Sequence, residues 1–477
     1  VNGHVKAVRA GIAFEATDVV HPGTPHAFWT LRRVAGALGE QLISGPRLDD
    51  RALSGVTTDT RTMPQGALFV ALRGENHDAH SLLTAARDAG AAAVVVERAE
   101  ATVGLGIPVF VVRDTLIALG LLARAWRRTW GGTVVAVGGS NGKTSTKELL
   151  RAALSAGLHV HATAGNQNNL VGVPLTLLAL PPHADVAVVE VGTNAPGEIA
   201  QLRAICEPDL AVVTSIGEEH LEGLGDLAGV LREEAAIFLG VPIAVVPASE
   251  LELVERARAQ AQQVITVGLT AGNVVPDAWS LDDEGRVRLL IGEHAMHLPV
   301  RGAHQAANSM LAVAVAQALG LSMERVGAAL QAMPIPAMRG GWETIGDITL
   351  INDAYNANPP SMRAALTLLS QLGTGRQRVA VLGTMRELGA ASDAQHDAVA
   401  RDALSAGLDI IVAVGEFASA FHRVAPGDAR VLSATDTEQA WQQLAPVLSR
   451  NALLLLKGSR GVRLERLLPS LTTWATS

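Results

Sequence analysis

From about residue 114 the chain alternates short, nearly uninterrupted apolar runs with stretches whose apolar residues recur at helical spacing. The runs opening at Thr133 (TVVAVGG) and covering 185–192, 209–217 and 242–247 are rich in Val, Ile and Ala, the composition of strands buried on both faces. Between and after them the pattern predicts helices over 115–129, 197–205, 226–238, 249–261, 305–319 and 322–332, and such alternation defines a mostly parallel sheet with helices on both sides. A more polar stretch, 273–300, reads as a hairpin or an edge pair of strands. Upstream, a helix at 31–38, the strand LFVAL at 68–72, a helix at 79–89 and strands at 92–96 and 109–112 form a small α/β unit. The pattern breaks at MPIPAMRGG, 333–341, and restarts with strands at 348–352, 378–382, 410–414, 430–433 and 452–456. The fold class expected is therefore α/β in three domains: a small α/β domain over 28–113, a central P-loop NTPase-like domain over 114–333 and a Rossmann-like open sheet over 334–477. Residues 1–27 lack a period and read as a flexible extension or an overlong translation start.

Composition narrows the possibilities. A net charge of −8 disfavours nucleic acid as an obligate partner, while leaving room for local basic pockets that take small anions. Cys206 is the only cysteine, so no intrachain disulfide or cysteine-rich metal site can form; with no apolar run long enough to cross a bilayer, a soluble cytoplasmic protein is expected, acting as a monomer. Lysine occurs only at Lys6, Lys143, Lys147 and Lys457 against a background of arginine, which marks the few that remain as worth explaining.

The strongest local signal is VVAVGGSNGKTSTKELL, 134–150, where an apolar strand enters a glycine-rich turn and leaves as a helix. Glycines such as Gly139 and Gly142 let the backbone turn so that amides and the helix N-terminus face phosphate oxygens, with Asn141 and Ser145 flanking them. Lys143 is placed to reach the terminal phosphates of a nucleotide and Thr144 to hold magnesium. The turn is shorter than GxxxxGK[ST], because Val137 stands where that motif has its first glycine, and it lacks the GxGxxG of a dinucleotide site. Glu190 ends the next run and His220 follows another, so both sit where strand ends open onto the crevice of an α/β sheet; a carboxylate there suits Mg²⁺. Asn166, Asn168 and Asn169, in the polar loop GNQNNLVG, are expected to face the same crevice.

Together, GGSNGKTSTKE, GNQNNLVGVPLTLL, EVGTNAPGEI, HLEGLG, RGAHQAANSMLAVA, VTTDTRTMPQGALFVALRGE, INDAYNANPPSM, VLGTMRELG and LLLKGSR occur in an order that resembles the cytoplasmic peptidoglycan (Mur) amide ligases from about residue 29 to the end. Within that group, INDAYNANPPSM resembles the branch that adds D-alanyl-D-alanine to UDP-N-acetylmuramoyl-tripeptide. The resemblance implies ATP and Mg²⁺ as cofactors, an acyl-phosphate intermediate, and those two molecules as substrates. It implies Lys143 and Thr144 at ATP phosphates and magnesium, Glu190 and His220 at the metal sites, and Asn308 and Arg339 approaching ATP. By the same token Asp353 contacts the ribose; Tyr355, Asn356 and Asn358 lie near the acceptor; Lys457, Ser459 and Arg460 close over the substrate; and Thr60 and Arg61 lie near the uridine diphosphate.

One departure has consequences. The family usually carries a carbamylated lysine in the helix after HLEG, and here the stretch reads VLREEAAIF with Glu234 at that place and no lysine between Lys147 and Lys457. Glu234 is therefore expected either to supply the missing carboxylate to a second magnesium ion or to be simply solvated, and Glu234→Gln discriminates the two. Smaller departures are Thr384, where the family often has Asp, and Ala79, where it often has Gly. Two other functions share these motifs: an amide ligase with another acceptor, separable by an acceptor panel, and a catalytically silent nucleotide-binding protein, which would bind ATP without acceptor-dependent phosphate release.

Overall fold

The computed structural model describes residues 28–39, 42–44, 50–74, 77–334, 341–372 and 375–476, and every structural statement below concerns these. The first sheet holds β1 (Leu42–Ser44), β2 (Val56–Thr57), β3 (Leu68–Val70), β4 (Ala93–Val96) and β5 (Val109–Val111) in the order β1-β5-β4-β3-β2, with only β1 antiparallel to its neighbour. The second is parallel throughout: β6 (Thr133–Gly138), β7 (Val160–Ala162), β8 (Val186–Glu190), β9 (Leu210–Val213), β10 (Ile243–Pro247) and β11 (Gln263–Val267), ordered β11-β10-β9-β6-β8-β7. A small antiparallel sheet follows, β12 (Ala278–Leu281), β13 (Arg286–Ile291) and β14 (His294–Arg301). The last sheet contains β15 (Gly341–Ile345), β16 (Ile348–Asp353), β17 (Arg378–Gly383), β18 (Ile410–Val414), β19 (Val431–Ala434) and β20 (Leu453–Lys457), ordered β15-β16-β20-β17-β18-β19. Its β15 runs antiparallel and the rest parallel.

The apolar runs are strands for the reason their composition gives. Along β6, Val134 and Ala136 enter one core while Val135 and Val137 enter the core on the opposite face, so a strand without polar alternation is buried twice. The same holds in the last sheet, where Leu453 and Leu455 face one core and Leu454 and Leu456 the other. By contrast β13 and β14 alternate buried and exposed positions, as one-sided antiparallel strands do; the segment read as a pair is a three-stranded sheet.

The helix Thr115–Trp130, started by Asp114 accepting from the amides of Leu116 and Ile117 and stopped at left-handed Gly131, joins the first two domains. Its Leu119, Leu122 and Trp126 belong to one continuous core with Phe110 of β5 and Val134 of β6, so the boundary near 113 is a change of sheet rather than a gap in packing. Neighbours β8 and β9 flank β6 on opposite sides, and the reversal of strand order there opens a crevice at the carboxyl ends of all three.

Candidate active site

That crevice is a cleft of about 1040 Å³ walled on one side by the 140–145 turn, Glu190, Glu219 and His220, and on the other by Asp353, Tyr355, Asn356, Lys457, Ser459 and Arg460 of the C-terminal domain. The helix Lys143–Leu154 begins at Gly142 (φ 87°), and no side chain caps it, so its first amides and the positive end of its dipole are directed at the cleft. A Cβ on Gly142 would lie 2.8 Å from Nδ2 of Asn308, and one on Gly139 would lie 2.5 Å from the Thr214 hydroxyl, so the tight turn requires both glycines.

Lys143 folds back across the turn, donating to the carbonyls of Gly139 (2.5 Å) and Ser140 (3.4 Å) and standing 3.5 Å from Oε1 of Glu219. Burial opposes its charge, and Glu219, Glu234 and Glu190 outweigh that cost and raise its pKa, so it is an ammonium. Thr144 donates to Oε1 of Glu190 (3.0 Å), which also accepts from Nδ2 of Asn168 (2.9 Å). The other Glu190 oxygen is buried without a hydrogen-bond partner, 3.6 Å from Nζ of Lys147. An anionic oxygen so placed beside a hydroxyl, at the mouth of a phosphate-binding turn, fits a magnesium ion that draws its remaining ligands from phosphate and water. Asn166 and Asn169 line the cleft as expected, and Asn169 also accepts from the amides of Val171 and Gly172, shaping the loop.

Glu234 is placed differently from what its sequence position suggests. It is fully buried, absent from the cleft wall, and accepts the Gly139 amide (2.7 Å) from beneath the turn; its other oxygen has no partner. Burial lifts its pKa to about 7, against the pull of Lys143. Glu233 accepts from the amides of Gly197 and Ile199 at the start of the earlier helix Glu198–Cys206. The carboxylate that does face the cleft beside His220 is Glu219, 3.8 Å from Nε2 of the imidazole and 5% exposed. Glu219, which adjoins His220 in GEEH, is not singled out by the sequence pattern, nor is Lys147, which is fully buried and donates to the carbonyls of Thr163 and Gly165.

In the C-terminal domain Lys457 is buried, pairs with Asp353 (2.7 Å) and donates to the carbonyl of Asn356 (2.8 Å). The Arg460 guanidinium lies over the Tyr355 ring, and Ser459 accepts the amide of Arg386. Asn358 does not line the cleft: it is buried as the N-cap of the helix Pro359–Gln371 in a reciprocal capping box with Ser361. Thr60 and Arg61 lie in the first domain away from the cleft wall, Arg61 being exposed and paired with Asp59 (2.7 Å). Arg339 lies outside the described residues.

A parallel sheet with an uncapped lysine-bearing turn, facing a Rossmann-like domain across the cleft, is the arrangement of an ATP-dependent ligase, and comparison with known proteins shows it to be of the Mur type. Three family descriptions match in order: the Mur ligase family catalytic domain over 52–127, the Mur ligase middle domain over 137–316 and the Mur ligase glutamate ligase domain over 341–460. The UDP-N-acetylmuramoyl-tripeptide–D-alanyl-D-alanine ligase of Bacillus subtilis is 34% identical over 439 residues, 90% of this chain and 95% of its own, and the Escherichia coli protein of the same name is 34% identical over 443 residues, 88% and 94%. The crystal structure of MurF from Acinetobacter baumannii superimposes with a TM-score of 0.84 at 32% identity, covering 93% of this chain and 99% of that one. The chain belongs to the UDP-N-acetylmuramoyl-tripeptide–D-alanyl-D-alanine ligase family.

Proposed function

We propose that this cleft uses ATP to activate the terminal carboxylate of UDP-N-acetylmuramoyl-tripeptide and joins it to the amine of D-alanyl-D-alanine, releasing ADP and phosphate in peptidoglycan precursor synthesis. The observation that carries the reading is the uncapped Gly142–Thr144 helix start with a Glu190 oxygen that accepts no hydrogen bond beside it, opposite the C-terminal wall. The γ-phosphoryl passes to the carboxylate oxygen, the amine attacks the resulting acyl phosphate, and the tetrahedral intermediate expels phosphate. Activation is needed because a free carboxylate is a poor electrophile.

Lys143 and the amides of the turn bear on the phosphates, and Thr144 with Glu190 would hold Mg²⁺, which supplies charge neutralisation between anionic nucleotide and anionic carboxylate. Glu219 is the carboxylate we assign beside His220, and Glu234 keeps the turn in shape through Gly139. Asn308 lies against Gly142 on the nucleotide side. Asp353 lies at the ribose; Tyr355, Asn356, Lys457, Ser459 and Arg460 act on the acceptor side; and Thr60 and Arg61 serve the uridine diphosphate end. Arg339 retains its assignment near ATP on the family resemblance alone. Closure of the C-terminal domain over the cleft would keep water from the acyl phosphate. A monomer acting in the cytoplasm is the setting we assign. No described helix is long and apolar enough to cross a membrane.

The test is phosphate release by the full chain given ATP, Mg²⁺ and the UDP-linked tripeptide, with and without D-alanyl-D-alanine. Release that requires the dipeptide supports the reading; ATP binding with no acceptor-dependent release overturns it.

A further inference from the structure

Only four non-glycine residues among those described have left-handed backbone, and two of them, His220 (φ 51°) and Glu387 (φ 64°), meet across the boundary between the central and C-terminal domains. That conformation costs on the order of 1 kcal/mol for residues with a Cβ and persists where surrounding contacts hold it in place. Nδ1 of His220 lies 2.5 Å from Oε2 of Glu387, and the amide of Glu222 donates to the Glu387 carbonyl (3.3 Å). A Cβ on Gly389 would come within 3.5 Å of the Glu222 backbone, so the loop Met385–Gly389 sits closely on the loop that bears His220. The contacts continue inward: Nε2 of His220 is 3.8 Å from Glu219, whose other oxygen is 3.5 Å from Nζ of Lys143. A line of four charged or polar side chains therefore runs from the C-terminal domain to the lysine of the phosphate-binding turn.

We propose that Glu387 is a positioning residue for the ligase reaction: its carboxylate, set against Nδ1 of His220, fixes the ring so that Nε2 is turned to Glu219 and the phosphate site, and it does so only when the C-terminal domain is docked. Which nitrogen of an imidazole carries the proton is set by the partner of the other nitrogen, and carboxylates commonly fill that role for functional histidines. Here the orienting carboxylate comes from the domain that closes, so docking and completion of the phosphate site are one event. Glu387 does not itself reach substrate in this account. Its effect passes through His220.

This rests on the ligase reading above, and the experiment separates the two. Glu387→Ala, Glu387→Gln, His220→Ala and the double variant are compared in the full chain for kcat, for KM of the UDP-linked tripeptide, and for affinity of Mn²⁺ with a non-hydrolysable ATP analogue. Expected for Glu387→Ala is a 10- to 100-fold fall in kcat and about tenfold weaker Mn²⁺-nucleotide binding, with KM for the tripeptide within twofold of the parent. Glu387→Gln, which retains a neutral acceptor of the same size, falls between them and serves if the alanine variant does not fold. In the double variant the second substitution adds less than threefold, because both act through one interaction. Glu387→Ala turning over within twofold, or effects of the two single substitutions that multiply in full, overturns the proposal. A parent protein without acceptor-dependent phosphate release instead removes the ligase reading, while the Mn²⁺-nucleotide comparison still decides whether Glu387 acts through His220.

Discussion

Glu234 gives the sharpest test of how this site is built. If its carboxylate bound magnesium, Glu234→Gln would abolish most activity; the structure instead gives it one task, accepting the Gly139 amide from below, which a glutamine carbonyl also performs. Glu234→Gln is therefore expected to turn over within about threefold of the parent. Glu234→Ala leaves the Gly139 amide buried and unpaired, a cost of about 1–3 kcal/mol. If that cost falls entirely on the geometry of the turn, turnover drops roughly 10- to 100-fold, with a matching loss of nucleotide affinity. Stability supplies an independent reading. The pKa is raised from 4.5 to about 7, so the folded protein binds a proton the unfolded chain has released, and this contribution is full below about pH 4.5 and lost as pH rises through 7. Glutamine removes the titration, so Glu234→Gln should gain on the order of 2 kcal/mol relative to the parent between pH 5 and pH 8, measured by urea unfolding at the two pH values. Turnover reduced more than a hundredfold by glutamine, with a raised Mg²⁺ requirement, would refute the reasoning and return the carboxylate to the metal.

Other perturbations check other parts of the structure. Gly142→Ala places a Cβ against Asn308 at a φ of 87°, and we expect about a tenfold higher KM for ATP with unchanged affinity for the UDP-linked tripeptide, read by steady-state kinetics and calorimetry. Glu207 ties Arg124 and Arg128 (2.6 Å each) and its pKa is pulled down to about 2, chiefly by Arg128, so its contribution is present above pH 4.5 and lost as pH falls toward 2. Allowing for solvent screening of a partly exposed cluster, Glu207→Gln should cost about 1–2 kcal/mol at pH 7 and flatten the acid limb of the stability curve. Lys457→Met strands Asp353 and should destabilise the C-terminal domain by about 3 kcal/mol in urea unfolding, with Asp353→Asn added to it restoring more than half.

The sheets were legible because continuous Val and Leu runs can only be buried twice, and the 138–144 turn because its glycines, lysine and threonine act locally. Edge elements were harder: β15 and β11 were not foreseen, since half-exposed strands carry weaker patterning. The helix Gly172–Leu178 follows a turn organised by Asn169, a contact that spacing alone does not announce. The candidate site divides the same way. Lys143, Thr144 and Glu190 follow from strand and turn position, whereas whether Glu219 or Glu234 faces the cleft depends on how the helix Leu227–Ala235 packs beneath β6. Asn358 shows the converse case, for the side-chain oxygen of a residue in a signature motif caps a helix. The partnership of His220 with Glu387 spans 167 positions and two domains, beyond the reach of any local pattern.

Three of the four lysines fall among the described residues, and all three are enclosed: Lys143 with a side chain 15% exposed, Lys147 wholly covered, and Lys457 at 3%. Amine-directed acylating reagents would thus find little to modify on the folded central and C-terminal domains, and the rate at which those three ammonium groups become labelled would time the opening of each domain without any engineered probe. Bound nucleotide should slow the reaction at Lys143 while leaving Lys457 to report on its own domain.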